Sequence, residues 1–139
     1  GDVERSEWAQ YLRDTFRTMP WAPIAFVTAT KGRNVKAAID TTQRLFRQSQ
    51  SRVPTAALNT IIHSATQATR PPADRKGRPV RIYFATQVDT APPTIVLSTS
   101  SAKSLTAPYK RYLISSLRKN SPFTEVPIKL LVRDHKSRE

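Results

Sequence analysis

The apolar positions fall into two regimes along the chain. In residues 4–17, Trp8, Tyr11, Leu12, Thr15 and Phe16 recur at helical spacing while Arg5, Glu7, Arg13 and Asp14 fill the rest of the wheel, which predicts an amphipathic helix. The Met19-Pro20 step ends it, because proline disfavours the helical conformation in the residue before it. Trp21 to Val27 is an apolar run of strand length without alternation, the pattern of a strand covered on both faces. Thr28-Ala29-Thr30-Lys31-Gly32 interrupts it, and Val35, Ala38, Ile39, Thr42, Leu45 and Phe46 then restore a helical period. Residues 1–50 therefore read helix, strand, helix. A lone strand at 23–28 needs sheet neighbours for its backbone and both faces, so this segment is expected to be loosely ordered or shielded by a second copy of the chain.

The second regime begins after the polar, aperiodic stretch Gln48-Ser49-Gln50-Ser51-Arg52, where a domain boundary is expected, giving domains 1–50 and 51–139. Thr55 is expected to cap a helix whose stripe is Leu58, Ile61, Ile62 and Ala65 and which Pro71-Pro72 stop. In Arg78 to Ser98, Val80, Ile82, Phe84, Thr86 and Val88 alternate with Arg81, Tyr83, Ala85 and Gln87, which predicts a strand with the first set buried and the second facing solvent. Pro92-Pro93 marks the connection, and a second strand starts at Thr94. Pro108 suits the first turn of a helix carrying Tyr109, Tyr112, Leu113 and Leu117, with Lys110, Arg111, Arg118 and Lys119 projecting away. Ile128, Leu130 and Val132 alternate with Lys129, Leu131 and Arg133 in a last strand, and Asp134 to Glu139 reads as a frayed charged tail. The order from residue 54 is α-β-β-α-β, an α+β unit with its helices on one face of a three-stranded sheet.

Charge narrows the partners. The 139 residues hold 23 Lys and Arg against 10 Asp and Glu, a net charge of +13. Residues 1–50 contribute eight basic and five acidic side chains, residues 51–139 fifteen and five, so the second domain carries most of the field that draws in a polyanion such as RNA. Such attraction is independent of sequence and also fits an anionic membrane, an acidic protein or simple solvation. With no cysteine, disulfides and thiolate metal sites are excluded. With neither a signal peptide nor a membrane span in the pattern, a soluble, cytoplasmic protein is expected.

The run KGRPVRIYFATQVDTAPPTIVL at 76–97, with YKRYL at 109–113 and PIKLLVR at 127–133, closely resembles the C-terminal KH-like domain of the Der (EngA) GTPases. PWAPIAFVTATKGRNVKAAID at 20–40 resembles the last strand and helix of the second GTP-binding domain in the same family. The resemblance implies a bacterial GTPase acting in assembly of the large ribosomal subunit, with this chain as its C-terminal portion: the end of the second GTP-binding domain, then a KH-like domain. It further implies that GTP with Mg2+ serves the intact parent and that Thr28, Ala29 and Thr30 line the guanine base through backbone N–H groups. It implies rRNA and the large subunit as partners, together with the GTP-binding domains of the same protein. The sequence has no GxxxxGK[ST] loop for phosphates and no Asn-Lys-x-Asp to read guanine, so this chain alone is expected to bind no cofactor and to be inactive.

Catalytic chemistry has little to stand on. His63 lies within the first stripe and His135 in the tail, neither with an acid or nucleophile at a recognisable spacing, and the carboxylates form no metal-ligand pattern. For RNA, a KH module clamps nucleotides with a GXXG loop. Gly1, Gly32 and Gly77 are the only glycines, so that loop is absent. Phosphate contact by charge remains open to Arg75, Lys76, Arg78, Arg81, Lys103, Lys110, Arg111, Arg118 and Lys119. Tyr83 either stacks on a base or packs across the sheet. One other reading is contact with the GTP-binding domains of the same protein through outward Leu131 and the 92–97 region; another is a stand-alone basic adaptor or protein-interaction module whose residues 1–50 dock on a protein partner.

Overall fold

A computed structural model describes residues 1–136, and the chain divides into two compact units, Gly1–Arg47 and Gln48 onward. In the first, helix α1 (Asp2–Thr15) carries Asp2 and Glu4 in its first turn and Arg13 in its last, complementing the helix dipole. Helix α2 is Val35–Gln50. Between them, residues 21–27 form no strand, and the expectation of a strand at 23–28 is not met. A strand is defined by its neighbours, and here the apolar run has only one isolated bridge, from Thr28 to Arg33. No residue of 1–47 is buried: Trp8 is 58% exposed, Tyr11 59% and Phe46 64%. The unit has amphipathic elements but no core of its own.

The second unit has both. The last turn of α2 contributes Gln48–Gln50, followed by α3 (Thr55–Ala68), β1 (Ile82–Asp89), β2 (Thr94–Thr99), a single 3-10 turn at Ala102–Ser104, α4 (Ala107–Asn120) and β3 (Lys129–Asp134). This is the expected α-β-β-α-β order. The sheet runs β1-β2-β3, antiparallel at the first junction and parallel at the second. A parallel pair needs a long crossover, which α4 supplies. Leu58, Ile62 and Ala65 of α3, Leu113 and Leu117 of α4, and Ala85, Ile95 and Leu97 of the sheet form the core. Val80, Leu105, Phe123 and Val126 close its ends. Each fully buried Leu or Ile contributes about 1.5–3 kcal/mol.

Local chemistry fixes the helix ends. Thr106 caps α4 by accepting the Tyr109 N–H, and Pro108 sits in the first turn. Thr55, expected as the cap of α3, is its first residue; Pro54 occupies the cap position without a side-chain bond. At the other end of α3, the Tyr109 and Tyr112 hydroxyls each donate at 2.7 Å, to the Thr69 and Ala65 carbonyls. The Ala65 carbonyl also accepts the Thr69 N–H at 3.0 Å, so the Tyr112 bond is its second, while the Tyr109 bond reaches the carbonyl of the residue that ends the helix.

The faces of β1 differ from the alternation read in the sequence. Ile82 pairs with Thr99 but Phe84 with Ser98, so Tyr83 is an extra residue in a bulge, and a second irregularity lies between Gln87 and Asp89. The bulge inverts the parity. Ala85 is fully buried against α3 and Gln87 half-buried, while Phe84 and Val88 are 36% and 52% exposed. Asn59 of α3 explains why Ala85 turns inward. Its Oδ1 accepts the Ala85 N–H at 2.8 Å and its Nδ2 donates to the Ala85 carbonyl at 3.0 Å. The side-chain amide thus imitates one residue of a neighbouring strand on the open edge of the sheet.

Gln48 to Gln50 are helical, the Gln48 Oε1 accepts the Glu125 N–H at 2.9 Å, and the Ser49 carbonyl accepts the Ala91 N–H at 2.9 Å. One further expectation changes. The chain is not frayed from Asp134. Asp134 ends β3 and accepts the Ala102 N–H at 2.8 Å, and the His135 N–H donates to the Thr99 carbonyl at 2.7 Å. The remainder of that predicted tail, 137–139, lies outside the described residues.

Candidate nucleic-acid interface

The basic loop after α3 is built on one carboxylate. Asp74 Oδ1 accepts the backbone N–H groups of Lys76 at 2.8 Å and Arg78 at 3.0 Å, and its Oδ2 lies 3.4 Å from the Arg78 guanidinium Nε. Gly77 takes φ +77°, a left-handed conformation that side chains resist, and its N–H closes the turn on the Asp74 carbonyl. The Arg78 amide, then the Lys76 amide and the Arg78 charge, hold the Asp74 carboxyl below its usual range. The loop is therefore a fixed turn with Arg75, Lys76 and Arg78 exposed on it.

Backbone bonds bring further residues to this end of the unit. The Val80 N–H donates to Pro72, Arg81 and Ser100 exchange bonds, and the Tyr109 hydroxyl holds the start of α4 against the end of α3. Arg81, Lys103 on the 3-10 turn, and Lys110 and Arg111 in the first half of α4 thereby share the end occupied by the loop. Lys119 is nine residues beyond Lys110, about 14 Å along the helix at ~1.5 Å per residue, and belongs to the other end. Arg118 does not project away as expected. Its Nη1 donates to the carbonyls of Phe123 at 3.0 Å and Val126 at 2.6 Å, and burial lowers its pKa. It ties the loop after α4 to the helix.

Thr28, Ala29 and Thr30 lie in an exposed turn of the first unit, where Gly32 and Asn34 have positive φ. The Thr28 N–H is bonded to the Arg33 carbonyl at 3.1 Å, so it is not open to a base. His63 is exposed on α3, and among the described residues no three or more His, Asp or Glu side chains are grouped to hold a metal ion. No helix among them is long and apolar enough to cross a membrane.

A protein-family model described as the KH-domain-like, C-terminal part of EngA bacterial GTPase enzymes matches residues 52–133, more than half of the chain and nearly all of the second unit. The chain belongs to the EngA (Der) GTPase family. GTPase Der of Rhodopirellula baltica is 46% identical over 138 residues, 99% of this chain and 30% of the relative. GTPase Der of Thermomicrobium roseum is 35% identical over 134 residues, covering 96% and 29% of the two chains. The corresponding figures for Acaryochloris marina are 34%, 96% and 30%. The chain thus spans about 30% of the length of these Der proteins.

Two features of this Der-family domain escaped the sequence reading. Arg118 carried the pattern of a solvated helix face, and only the geometry of the 121–126 loop reveals its role. His135 read as part of a tail, yet its ring packs 4.7 Å from Tyr83 and 6.2 Å from Phe84, centroid to centroid, and its Nδ1 lies 3.1 Å from the Ser98 Oγ. The signal available was continuation of the alternation Leu131, Arg133, His135 past the end of the apolar residues.

Proposed function

We propose that this chain is the RNA-contacting and coupling portion of a GTPase that acts in assembly of the large ribosomal subunit. In this reading residues 1–47 complete the second GTP-binding domain of the intact protein, which hydrolyses GTP with Mg2+. The KH-like unit meets rRNA phosphates through Arg75, Lys76 and Arg78, with Arg81, Lys103, Lys110 and Arg111 beside them. The observation that carries it is the Asp74-organised turn, whose fixed backbone presents the exposed Arg75, Lys76 and Arg78 together, so that the turn itself need not be ordered on binding. Binding of the chain to rRNA and to large-subunit precursors across a salt series tests it. The expected result is a linear fall of affinity on a log–log plot, with a slope reduced by about 2–3 in the Arg75/Lys76/Arg78→Ala variant. Binding insensitive to salt and to those changes refutes it.

One observation favours protein contact for the first unit. None of its apolar side chains is buried, and Leu12 of α1 with Phe16, Met19, Ala22, Pro23 and Ile24 of the segment after it line, beside Arg13, a largely apolar groove of about 300 Å3. That surface fits the remainder of a GTP-binding domain, through which nucleotide state reaches the KH-like unit.

A further inference from the structure

The face of the sheet turned away from α3 and α4 carries aromatic rings where a solvated face carries polar residues. The bulge at Tyr83 sets two successive rings, Tyr83 and Phe84, within reach of one imidazole, that of His135. Phe84, Ser98 and Arg133 stand in register across the three strands. With His135 and Lys136 they line a hollow of about 310 Å3 whose floor, Ser98, is 2% exposed. Tyr83 remains 47% exposed and Phe84 36%. The carboxylate at the rim, Asp134, is engaged by the Ala102 N–H, and Arg81 lies 6.0 Å from the Tyr83 ring centre. The Phe84 and His135 rings stand edge to face, their planes at 90°, so the exposed Phe84 face is open beside the imidazole. An open ring face, a hydroxyl on the floor and cations at the rim are parts with which a sheet stacks a base and holds its phosphate.

We propose that this open sheet face binds single-stranded RNA, one base stacking in the hollow on Phe84 with its edge toward His135, while Arg133 and Lys136 meet the adjoining phosphates. The proposal rests on the reading of the domain as an RNA binder but assigns it a second surface, distinct from the Asp74 turn. Stacking is tolerant of base identity, so a preference for single-stranded over double-stranded RNA is expected, with little preference among bases.

The test uses the full chain with fluorescein-labelled decauridylate, decaadenylate and a ten-base-pair RNA duplex, read by anisotropy across salt, beside NMR of the aromatic ring protons during titration with unlabelled decauridylate. Phe84→Leu and His135→Ala are each expected to weaken single-strand binding about tenfold and to leave the salt slope unchanged. Arg75/Lys76/Arg78→Ala is expected to lower the slope without removing the ring shifts. In the unaltered chain, the Phe84 and His135 ring protons should move on binding, a readout that does not depend on any variant folding. Ring protons that stay still while RNA binds, or variants that bind as the parent does, overturn the sheet site and leave the phosphate-contact reading intact. No single-strand binding by the unaltered chain overturns the sheet site, and absence of rRNA binding as well overturns both. Loss of binding to a purified GTP-binding domain in Phe84→Leu, with RNA binding unchanged, makes the face a protein interface and equally overturns the proposal.

Discussion

Asn59 offers a sharp perturbation, because its amide pairs with both polar groups of a single fully buried residue. Replacing it leaves the Ala85 N–H and carbonyl without the partners now at 2.8 and 3.0 Å. An unsatisfied buried backbone group costs about 1–3 kcal/mol. Asn59 also borders an open groove, with Thr60, His63 and Tyr83 among its other walls, through which water can enter a truncated site. Asn59→Ala should therefore lie near the low end, about 1–2 kcal/mol, with water taking over part of the bonding. Asn59→Leu has similar volume but blocks the water, and should cost about 2–4 kcal/mol. Asn59→Asp keeps an acceptor for the N–H and sets a carboxylate against the carbonyl, so it should fall between neutral and the Leu value. Both tryptophans, Trp8 and Trp21, lie in the first unit. Urea unfolding is better followed by near-UV circular dichroism of Tyr83, Tyr109 and Tyr112, or by NMR. With a urea slope of about 1–3 kcal/mol per molar, a 2 kcal/mol loss moves the midpoint by roughly 1 M. If Ala and Leu variants both unfold within about 0.5 kcal/mol of the parent, or if Leu is the milder of the two, the account of Asn59 as a surrogate strand residue is wrong.

Further outcomes follow from single side chains. Burial, and then the neighbouring Tyr112, push the Tyr109 pKa up to about 12. The neutral phenol is therefore favoured in the folded state, so the associated stability is full below about pH 10, where an unfolded tyrosine titrates, and declines as pH rises toward 12. Absorbance at the phenolate band should show one tyrosine ionising near pH 12, and Tyr109→Phe should remove that step; a Tyr109 that titrates near 10 contradicts it. Arg118→Met deprives the Phe123 and Val126 carbonyls of their donor and should cost about 1–3 kcal/mol in thermal unfolding, with faster amide exchange confined to 121–126. Arg118→Lys keeps a nitrogen that can donate to both carbonyls but on a shorter stem without the planar guanidinium, and should recover only part of that loss.

Element order in the second unit was legible because each cue there is local. Periods of two and of 3.6, the Pro92-Pro93 break and Pro108 at a helix start each act within a few residues. What escaped depends on distant partners. Alternation put Phe84 and Val88 inside, but nothing in IYFATQVD announces an inserted residue, and the bulge is decided by Asn59, 26 positions before Ala85. Gln48 read as part of a polar, aperiodic stretch because its partner Glu125 is 77 positions away. The segment 23–28 had a strand's composition and lacked a strand's neighbours. Among the candidate cations, the turn of Arg75, Lys76 and Arg78 was visible from the lone Gly77 among charges. The departure of Arg118 from that set required a loop geometry that no periodicity encodes.

The extra residue at Tyr83 acts on its strand as a frameshift acts on a message. The side chains from Phe84 to Gln87, up to the second irregularity, are read in the opposite phase, so the same letters spell an aromatic exterior in place of an aromatic interior. Substitutions there leave the phase alone, whereas a deletion of one residue at 83 changes it all at once, sending Phe84 toward α3 and Ala85 outward. Change at this position is therefore quantised. The outer surface of the sheet can be tuned one ring at a time by replacement, but it can be created or abolished only by a change in chain length.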